Sequence, residues 1–226
     1  MNQVERPKTK AERPKPDNVA AIILAAGRSS RMGAFKPLLP FGNKTIIENC
    51  IDNLRCGGIE IIVVVIADDP RAAQLRAHLK DSKVIVAVNS APESEMSASI
   101  ACGVLTLPTK TKAVVIMPAD HAAVPGEVVS ALIDEWAKGA RLVKPTAAGR
   151  GGHPVLVDLS FREELLRLDP KRGLKSLFTE HEAEVLRLDV NSNYIARDMD
   201  TWDDYRALHQ EVFGVAPPEL PKLEKE

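Results

Sequence analysis

The residues of this chain best suited to chemistry follow its first apolar segment. The run Val19–Ala26 leads directly into Gly27 and then into three cations, Arg28, Arg31 and Lys36. A buried strand that ends in residues with almost no side chain leaves its backbone N–H groups open to a ligand, and the cations indicate that this ligand is an anion. The pattern therefore predicts a triphosphate site. Neither G-x-x-x-x-G-K-[ST] nor G-x-G-x-x-G is present, so the loop is not a P-loop or a dinucleotide fingerprint. A plain turn with solvated basic residues is the alternative, but short turns rarely carry so many cations.

A carboxylate stands at the end of another apolar segment. Val114–Met117 runs through Pro118 and Ala119 into Asp120. Because ligands of open parallel sheets bind beyond the carboxyl ends of the strands, Asp120 is expected at the same edge as the first loop. An acid there could hold a Mg²⁺ ion that bridges triphosphate oxygens. The alternative is that Asp120 only caps the turn before the next helix. His121 is expected at the surface or behind Asp120 rather than on the metal.

The segment 24–42, LAAGRSSRMGAFKPLLPFG, resembles the opening motif of the MobA-like nucleotidyltransferases, and within them the molybdenum cofactor cytidylyltransferases. The resemblance implies that Arg31 grips the β- and γ-phosphates and that Lys36 lies near the α-phosphate. It makes Lys36, Arg31 and Asp120 the expected catalytic residues. Ala26 stands where the guanylyl branch tends to have a second glycine, which favours CTP over GTP. The other nucleotide-binding residues implied in this loop are Leu24, Ala25, Gly27, Arg28 and Ser29.

The resemblance extends to the carboxylates of a metal site. The surroundings of Asp120 are similar to the metal-binding Asp-x-Pro segment of the family. The segment 196–205, ARDMDTWDDY, resembles a late acidic segment of the family, with Trp202 where proline is usual. Asp198 and Asp200 lie on the same side of an extended chain. One of them is expected to bind Mg²⁺ with Asp120 while the other caps the last helix, and Asp198 is favoured as the ligand.

Three further segments resemble the parts of the family that contact the base and the acceptor. In 89–103 the resemblance places Ser97 and Ser99 near the nucleotide, although Glu95 replaces a glycine there. Helix capping is the alternative role for these two hydroxyls. The motif GRGGHPVLV implies that His153 contacts the acceptor, and KRGLKSLF implies that Lys175 meets its phosphate. A structural histidine and a solvated basic face are the alternatives.

Composition and length limit the classes of protein that the chain can be. At 226 residues and 45% hydrophobic it can bury one core, and its net charge of −1 offers no field for nucleic acid or for a membrane surface. Three cysteines without metal-like spacing predict reduced thiols and a cytoplasmic protein. The apolar runs are too short to span a bilayer. We expect a disordered leader at 1–17, one domain at 18–213 and a flexible tail at 214–226.

Strand-like and helix-like patterns alternate along the chain. This order predicts an α/β, single-domain, Rossmann-like three-layer sandwich with a mostly parallel sheet, and the resemblance implies the nucleotide-diphospho-sugar transferase type. Helices are predicted from the capping box at Thr45 to Gly57 and at 69–79, 96–107, 125–138, 160–168, 174–180 and 201–213. Strands are predicted at 19–26, 59–67, 84–88, 113–117, 142–144, 154–157 and 184–190.

The predicted reaction is the attack of an acceptor phosphate on the α-phosphorus of Mg²⁺-bound CTP, with release of pyrophosphate. Such transfers need positioning and charge neutralisation more than a protein base. The resemblance implies a phosphorylated small molecule such as molybdopterin as acceptor, and a monomer or weak dimer. Three alternatives stay open: a guanylyl- or other nucleotidyltransferase with another acceptor, an NAD(P)-dependent oxidoreductase, and a non-catalytic nucleotide-binding protein that docks to a molybdoenzyme. Asp68 and Asp69 lie too far from Gly27 for the usual dinucleotide spacing, which disfavours the oxidoreductase.

Overall fold

Strands and helices alternate along the residues that the computed structural model describes, which are 18–27, 32–90 and 96–218. The strands are β1 (Val19–Leu24), β2 (Pro40–Phe41), β3 (Lys44–Thr45), β4 (Ile61–Ala67), β5 (Ile85–Asn89), β6 (Ala113–Pro118), β7 (Leu142–Ala147), β8 (Arg150–Gly151), β9 (Val155–Asp158) and β10 (Val185–Asp189). The helices are α1 (Ile46–Cys56), α2 (Pro70–His78), α3 (Met96–Thr106), α4 (Gly126–Ala137), α5 (Arg162–Leu165), α6 (Leu174–Glu180) and α7 (Trp202–Phe213). This order confirms the predicted α/β class.

One mixed sheet organises the domain. Its strand order is β10-β7-β9-β6-β1-β4-β5, with β8 paired to β7. β1 lies between β4 and β6 and is parallel to both, β5 is parallel to β4, and β10 is parallel to β7. β9 is antiparallel to both of its neighbours, β6 and β7. The carboxyl ends of β1, β4, β5, β6 and β7 therefore meet along one edge, the carboxyl edge, and β9 starts from that edge.

Helices cover both faces of the sheet. Side chains alternate across each strand, so Ile23 and Val64 pack with α1, α2, α4 and α7, whereas Ile22 and Val65 pack with α3, α5 and α6. The apolar runs of β1 and β4 follow from this burial on both faces. The three layers confirm the predicted Rossmann-like sandwich. None of the helices in the described part of the chain is long and apolar enough to cross a membrane.

Three elements differ from the sequence-based prediction. β1 ends at Leu24 rather than at residue 26, because the chain turns out of the sheet where the small residues begin. β7 continues to Ala147 rather than ending at residue 144, because β10 pairs along it to Thr146. The predicted helix 160–168 contains only a 3-10 turn and the four-residue α5.

The hairpin β2–β3 was not predicted, since each of its strands has only two residues. Its turn contains Gly42, whose φ is +68°. A Cβ there would lie 2.7 Å from a ring carbon of Phe213 in α7. Glycine is therefore required both by the backbone conformation and by the close packing of the last helix. The hairpin and α7 are in direct contact.

We predict that Gly126→Ala destabilises the fold. A Cβ at Gly126 would lie 2.7 Å from Cβ of Cys56 and 2.9 Å from the carbonyl oxygen of Asn53, so α1 and α4 would have to separate. Overpacking of this kind costs about 1–3 kcal/mol, which urea unfolding would measure. Ser130→Ala on the same helix is the control and should change stability by less than about 0.5 kcal/mol. An unchanged midpoint for Gly126→Ala would show that the helices do not pack this closely.

Candidate functional site

Lys36 and two carboxylates from distant parts of the chain meet at the carboxyl edge. Nζ of Lys36 lies 3.1 Å from Oδ2 of Asp120 and 3.3 Å from Oδ1 of Asp200. Lys36 begins a 3-10 turn, Asp120 follows β6 by two residues, and Asp200 precedes the N-cap of α7. The lysine side chain is only 12% exposed, and that of Asp120 is 20% exposed. A partly buried ammonium group paired with two carboxylates is a candidate functional site, because such groups are costly to bury without a role.

Asp120 is ionised in this environment. Burial by itself would raise its pKa, but the hydrogen bond and charge of His121, followed by the charge of Lys36, hold the pKa of the carboxyl well below its usual range. Nδ1 of His121 lies 3.0 Å from Oδ1 of Asp120. The prediction that His121 lies behind Asp120 agrees with this contact, since its side chain is nearly buried. The predicted alternative, a surface position, is wrong.

A second histidine, His153, packs against His121 on the side away from Asp120. The rings of His121 and His153 are 5.3 Å apart and meet edge to face. Burial lowers the pKa of His153 to about 4, and the charge of His121 acts in the same direction. Its Nδ1 is buried and has no hydrogen-bond partner among the described residues. His153 is therefore a neutral imidazole at pH 7.

Helix α1 holds the loop that carries Asp120. Nδ2 of Asn53 donates to the carbonyl of Ala122 over 2.8 Å, and Sγ of Cys50 donates to the carbonyl of Ala119 over 3.4 Å. Burial, with the nearby charge of Asp120, raises the pKa of the Cys50 thiol, which keeps it protonated as a donor. The position of Asp120 is thus fixed on both sides along the chain.

The small residues that follow β1 emerge step by step from the sheet. Leu24 and Ala25 are buried, Ala26 is half-buried and Gly27 is exposed. The amide of Ala119 donates to the carbonyl of Leu24 over 3.1 Å, which ties this exit to the loop of Asp120. A Cβ at Gly27 would have no atom of the described residues within 4 Å, so this part of the backbone is open to a ligand. Arg28, Ser29 and Arg31 lie outside the described residues.

The acids before α7 are arranged differently from the capping prediction. Thr201 caps α7: its hydroxyl oxygen accepts from the amide of Asp204, and the carboxylate of Asp204 accepts from the amide of Thr201. Neither Asp198 nor Asp200 is the cap, because a Thr/Asp capping box already satisfies the first turn. Burial, followed by the charges of Asp200 and Asp120, raises the pKa of Asp198. The three carboxylates therefore face one region.

Ser97 and Ser99 lie at the start of α3 and are both buried. Nδ2 of Asn89, the last residue of β5, donates to Oγ of Ser99 over 3.0 Å. This pair brings an amide and a hydroxyl to the carboxyl edge, on the far side of β4 from β1. Glu95, the acid that replaces a glycine of the family, lies outside the described residues.

A cavity of about 350 Å³ opens beside His153. Lys144 of β7 and Lys175 of α6 line it, and neither has an ion-pair partner among the residues that the structure describes. Gly151 leaves room for Lys144, since a Cβ there would lie 2.4 Å from Cε of the lysine. Arg187 also lines the cavity and is paired with Glu182. The cavity is therefore positively charged and shares His153 with the Asp120 site.

Sequence reasoning missed Lys144 and Asn53 as parts of the site. Lys144 lies in an apolar strand, where a single lysine in the pattern VKPT could have signalled a functional position. Asn53 carries no comparable signal, because an asparagine on a helix surface is ordinary. Among residues 18–27, 32–90 and 96–218, no group of three His, Cys, Asp or Glu side chains is arranged to hold a metal. Two carboxylates and substrate phosphates are a common alternative for Mg²⁺.

The family described as MobA-like NTP transferase domain matches residues 21–185. The chain belongs to this family. A Paenarthrobacter nicotinovorans protein named nicotine blue oxidoreductase is 26% identical over 200 residues, which are 84% of this chain and 96% of that protein.

Two relatives match shorter parts of the chain. A Carboxydothermus hydrogenoformans protein named "Probable molybdenum cofactor guanylyltransferase" is 46% identical over 52 residues, which are 23% of this chain and 26% of that protein. A 2-C-methyl-D-erythritol 4-phosphate cytidylyltransferase from Tolumonas auensis is 56% identical over 52 residues, 22% of this chain and 23% of that protein.

The fold has solved counterparts. Rv0371c from Mycobacterium tuberculosis H37Rv is 26% identical with a TM-score of 0.77, and the match covers 87% of this chain and all of that one. A second structure of Rv0371c is a complex with manganese, at 24% identity and a TM-score of 0.71, over 86% of this chain and 98% of that one. A nucleotidyl transferase from Methanothermobacter thermautotroptrophicus has a TM-score of 0.73 at 20% identity, over 87% of this chain and 98% of that one, so the sheet of this chain is that of a nucleotidyltransferase fold.

We predict that His153 makes stability depend on pH between about 4 and 6.5. The folded protein holds the pKa of His153 at about 4, against about 6.5 in an unfolded chain. The unfolded state binds more protons in this window, so stability falls as pH falls, by up to about 3 kcal/mol. His153→Gln should flatten the dependence measured by urea unfolding from pH 4 to 7. The exposed His78→Gln is the control, and an equal slope in wild type and His153→Gln would contradict the prediction.

Proposed function

We propose that the protein transfers CMP from CTP to a phosphorylated small-molecule acceptor and releases pyrophosphate. The observation that carries this proposal is the placement of Lys36 between Asp120 and Asp200, at the edge of the sheet where the open backbone at Gly27 emerges. Transfer of a phosphoryl group requires reactants to be aligned and negative charge to be neutralised. A lysine, carboxylates for a cation and the exposed backbone at Gly27 would provide those functions without a protein base.

The proposed metal is Mg²⁺, held by Asp120 and Asp200. Both carboxylates already converge on one cationic group, with oxygens 3.1 and 3.3 Å from Nζ of Lys36, and carboxylate oxygens suit a hard cation. Asp198, which the sequence favours, makes no ion pair with Lys36, and its pKa is raised first by burial and then by the charges of Asp200 and Asp120. When bound, the metal would neutralise phosphate charge. The manganese complex of Rv0371c supports a divalent cation in a related fold.

In the proposed reaction an oxygen of the acceptor phosphate forms a bond to the α-phosphorus of CTP. The bond from the α-phosphorus to the oxygen that bridges it to the β-phosphate breaks, and pyrophosphate leaves with that electron pair. A phosphate monoester is largely a dianion at pH 7, since its second pKa is about 6, so no residue has to remove a proton. Lys36 would neutralise the charge that develops at the α-phosphate, and Arg31 would hold the β- and γ-phosphates.

The proposed acceptor site is the cavity lined by His153, Lys144 and Lys175. Two lysines without ion-pair partners among the described residues suit a phosphate, and neutral His153 can contact an uncharged ring. The cavity adjoins the reacting groups, because His153 packs on His121, which contacts Asp120. A phosphorylated pterin such as molybdopterin fits this combination, and the relative named as a molybdenum cofactor guanylyltransferase supports it.

The proposed donor base is cytosine. Ala26 is half-buried where the family's guanylyl branch tends to have glycine, and its methyl group would narrow the loop toward a pyrimidine. One methyl group discriminates by only about 10- to 200-fold. The two short matches, to a guanylyltransferase and to a cytidylyltransferase, support one base each.

An oxidoreductase is the second candidate, because the Paenarthrobacter nicotinovorans relative, which matches 84% of this chain, is named as one. The sequence lacks G-x-G-x-x-G, which argues against binding of a dinucleotide cofactor. Hydride transfer does not require the charges of Lys36, Asp120 and Asp200, whereas phosphoryl transfer uses a lysine and metal-binding carboxylates. NAD(P)H consumption without pyrophosphate release would identify this class.

We predict that the purified protein releases pyrophosphate from CTP in the presence of molybdopterin, faster than from the other three nucleoside triphosphates. Lys36→Ala should lower kcat by about 100-fold or more, because it removes one preorganised charge-stabilising group. Lys112→Ala is the matched control, since Lys112 precedes β6 at the opposite edge of the sheet and is exposed. Equal turnover of wild type and Lys36→Ala would refute the assignment of Lys36, and a preference for GTP would refute that of cytosine.

We predict that Asp120→Asn and Asp200→Asn each lose Mg²⁺-dependent transfer while the fold is retained, because the amide keeps the shape but removes a hard anionic ligand. Asp198→Asn should retain more activity than Asp200→Asn. Titration of Mg²⁺ against initial rate, together with circular dichroism of each variant, would measure this. If Asp198→Asn is the more damaging variant, the ligand is Asp198.

A further inference from the structure

Two aromatic side chains of α7 hold the main chain of the segment that contains Lys36, here called the lysine segment (residues 32–42). Nε1 of Trp202 donates to the carbonyl of Met32 over 2.9 Å, and the hydroxyl of Tyr205 donates to the carbonyl of Pro40 over 2.5 Å. Residues three apart lie on one face of a helix. One face of α7 therefore binds the lysine segment near both of its ends.

The same face of α7 binds the turn of the hairpin at the end of the lysine segment. The amide of Gly42 donates to Nε2 of His209 over 3.2 Å. Since Nε2 is thereby an acceptor, Nδ1 carries the proton and donates to the carbonyl of Val215 over 2.8 Å. Phe213, four residues further along α7, packs against Gly42 and lies 4.9 Å from the ring of Phe41. The contact thus continues over three turns of the helix.

The anchored groups lie on both sides of Lys36. Met32 precedes it by four residues and Pro40 follows it by four, so both flanks of its turn are fixed to α7. The chain that leads into the helix also carries one of the carboxylates that Lys36 contacts, since Asp200 lies immediately before the N-cap Thr201. The helix and the residues just before it therefore set the position of the lysine backbone and of its partner.

We propose that Trp202 and Tyr205 are positioning residues, which aim Lys36 at the reacting phosphate by fixing the lysine segment to α7. This inference rests on the proposed function. Helix α1 also contacts the segment, since the amide of Ile46 donates to the carbonyl of Leu39. That contact lies after Lys36 in the chain, on the side of the hairpin. Before Lys36, on the side of the loop that follows β1, the anchor is the hydrogen bond from Trp202 to Met32. The tryptophan that replaces the usual proline of the family supplies this donor.

The test is a pair of variants, Trp202→Phe and Tyr205→Phe, which remove the donors and keep the aromatic rings. Each should lower kcat for pyrophosphate release by about 10- to 100-fold, because small displacements of a catalytic group have effects of that size. The KM for CTP should change by less than about twofold, as expected for contacts that act in the transition state. The variants are compared at a temperature well below the midpoint of thermal unfolding of each.

Trp136→Phe is the matched control. Its Nε1 donates to Oδ2 of Asp158 over 2.7 Å, so the substitution removes an indole hydrogen bond of similar length. Asp158 pairs with Ala113 at the start of β6, at the edge of the sheet opposite the site. Trp136→Phe should therefore lower thermal stability while kcat stays at the wild-type value.

A double-mutant cycle with Lys36→Ala tests whether the effect passes through the lysine. In the Lys36→Ala background, Trp202→Phe should have almost no further effect on kcat, because there is no ammonium left to position. Amide hydrogen exchange should in addition be about tenfold faster in residues 32–42 of Trp202→Phe than in wild type or Trp136→Phe. This measurement does not depend on the reaction.

The outcomes separate the two proposals. Unchanged kcat in Trp202→Phe and Tyr205→Phe, or an additive loss with Lys36→Ala, would overturn the positioning role. Exchange in the lysine segment that stays at the wild-type rate would also overturn it. Failure of the wild type to release pyrophosphate from any nucleotide would overturn the proposed function instead, and the exchange rates would still show whether α7 anchors the segment.

Discussion

The ion pairs between Lys36, Asp120 and Asp200 are the constraint on which the arrangement of this molecule depends. A lysine side chain that is only 12% exposed is costly unless carboxylates compensate it. Its two partners lie 84 and 164 residues away along the chain, so no local structure can supply them. This charge is compensated only when three parts of the chain are in place: the end of β6, the turn that begins at Lys36 and the residues just before α7. The site is thus the point where three separate parts of the fold are joined.

The sheet topology explains why these groups share one edge with the cavity beside His153. β1 and β6 are parallel neighbours, so the open backbone at Gly27 and the carboxylate of Asp120 emerge side by side. β9 is antiparallel to β6, with Val155 opposite Ile116, and it therefore enters the sheet from the carboxyl edge. This direction places His153 next to His121. Had β9 run parallel to β6, the same histidine would lie at the opposite edge, away from the reacting groups.

Family membership narrows the chemistry less than it narrows the fold. The related proteins carry names as different as oxidoreductase, guanylyltransferase and cytidylyltransferase, and function has to be argued from the site rather than from the sheet. In this chain three contacts support the charged groups of the site. His121 holds one oxygen of Asp120, Asn53 holds the loop that follows it, and Trp202 ties the last helix to the lysine segment.

The sequence by itself determined the alternation of strands and helices, the open backbone after β1 and the acid after β6, because each follows from local burial patterns and from small residues at strand ends. It could not show that Asp200 rather than Asp198 contacts Lys36, because both have the same local pattern and only the path of the chain into α7 separates them. Asn53 and Trp202 could not be assigned either, since each acts on a group from another element. Only the tertiary structure decided these contacts, because hydrogen bonds between distant segments leave no period in the sequence.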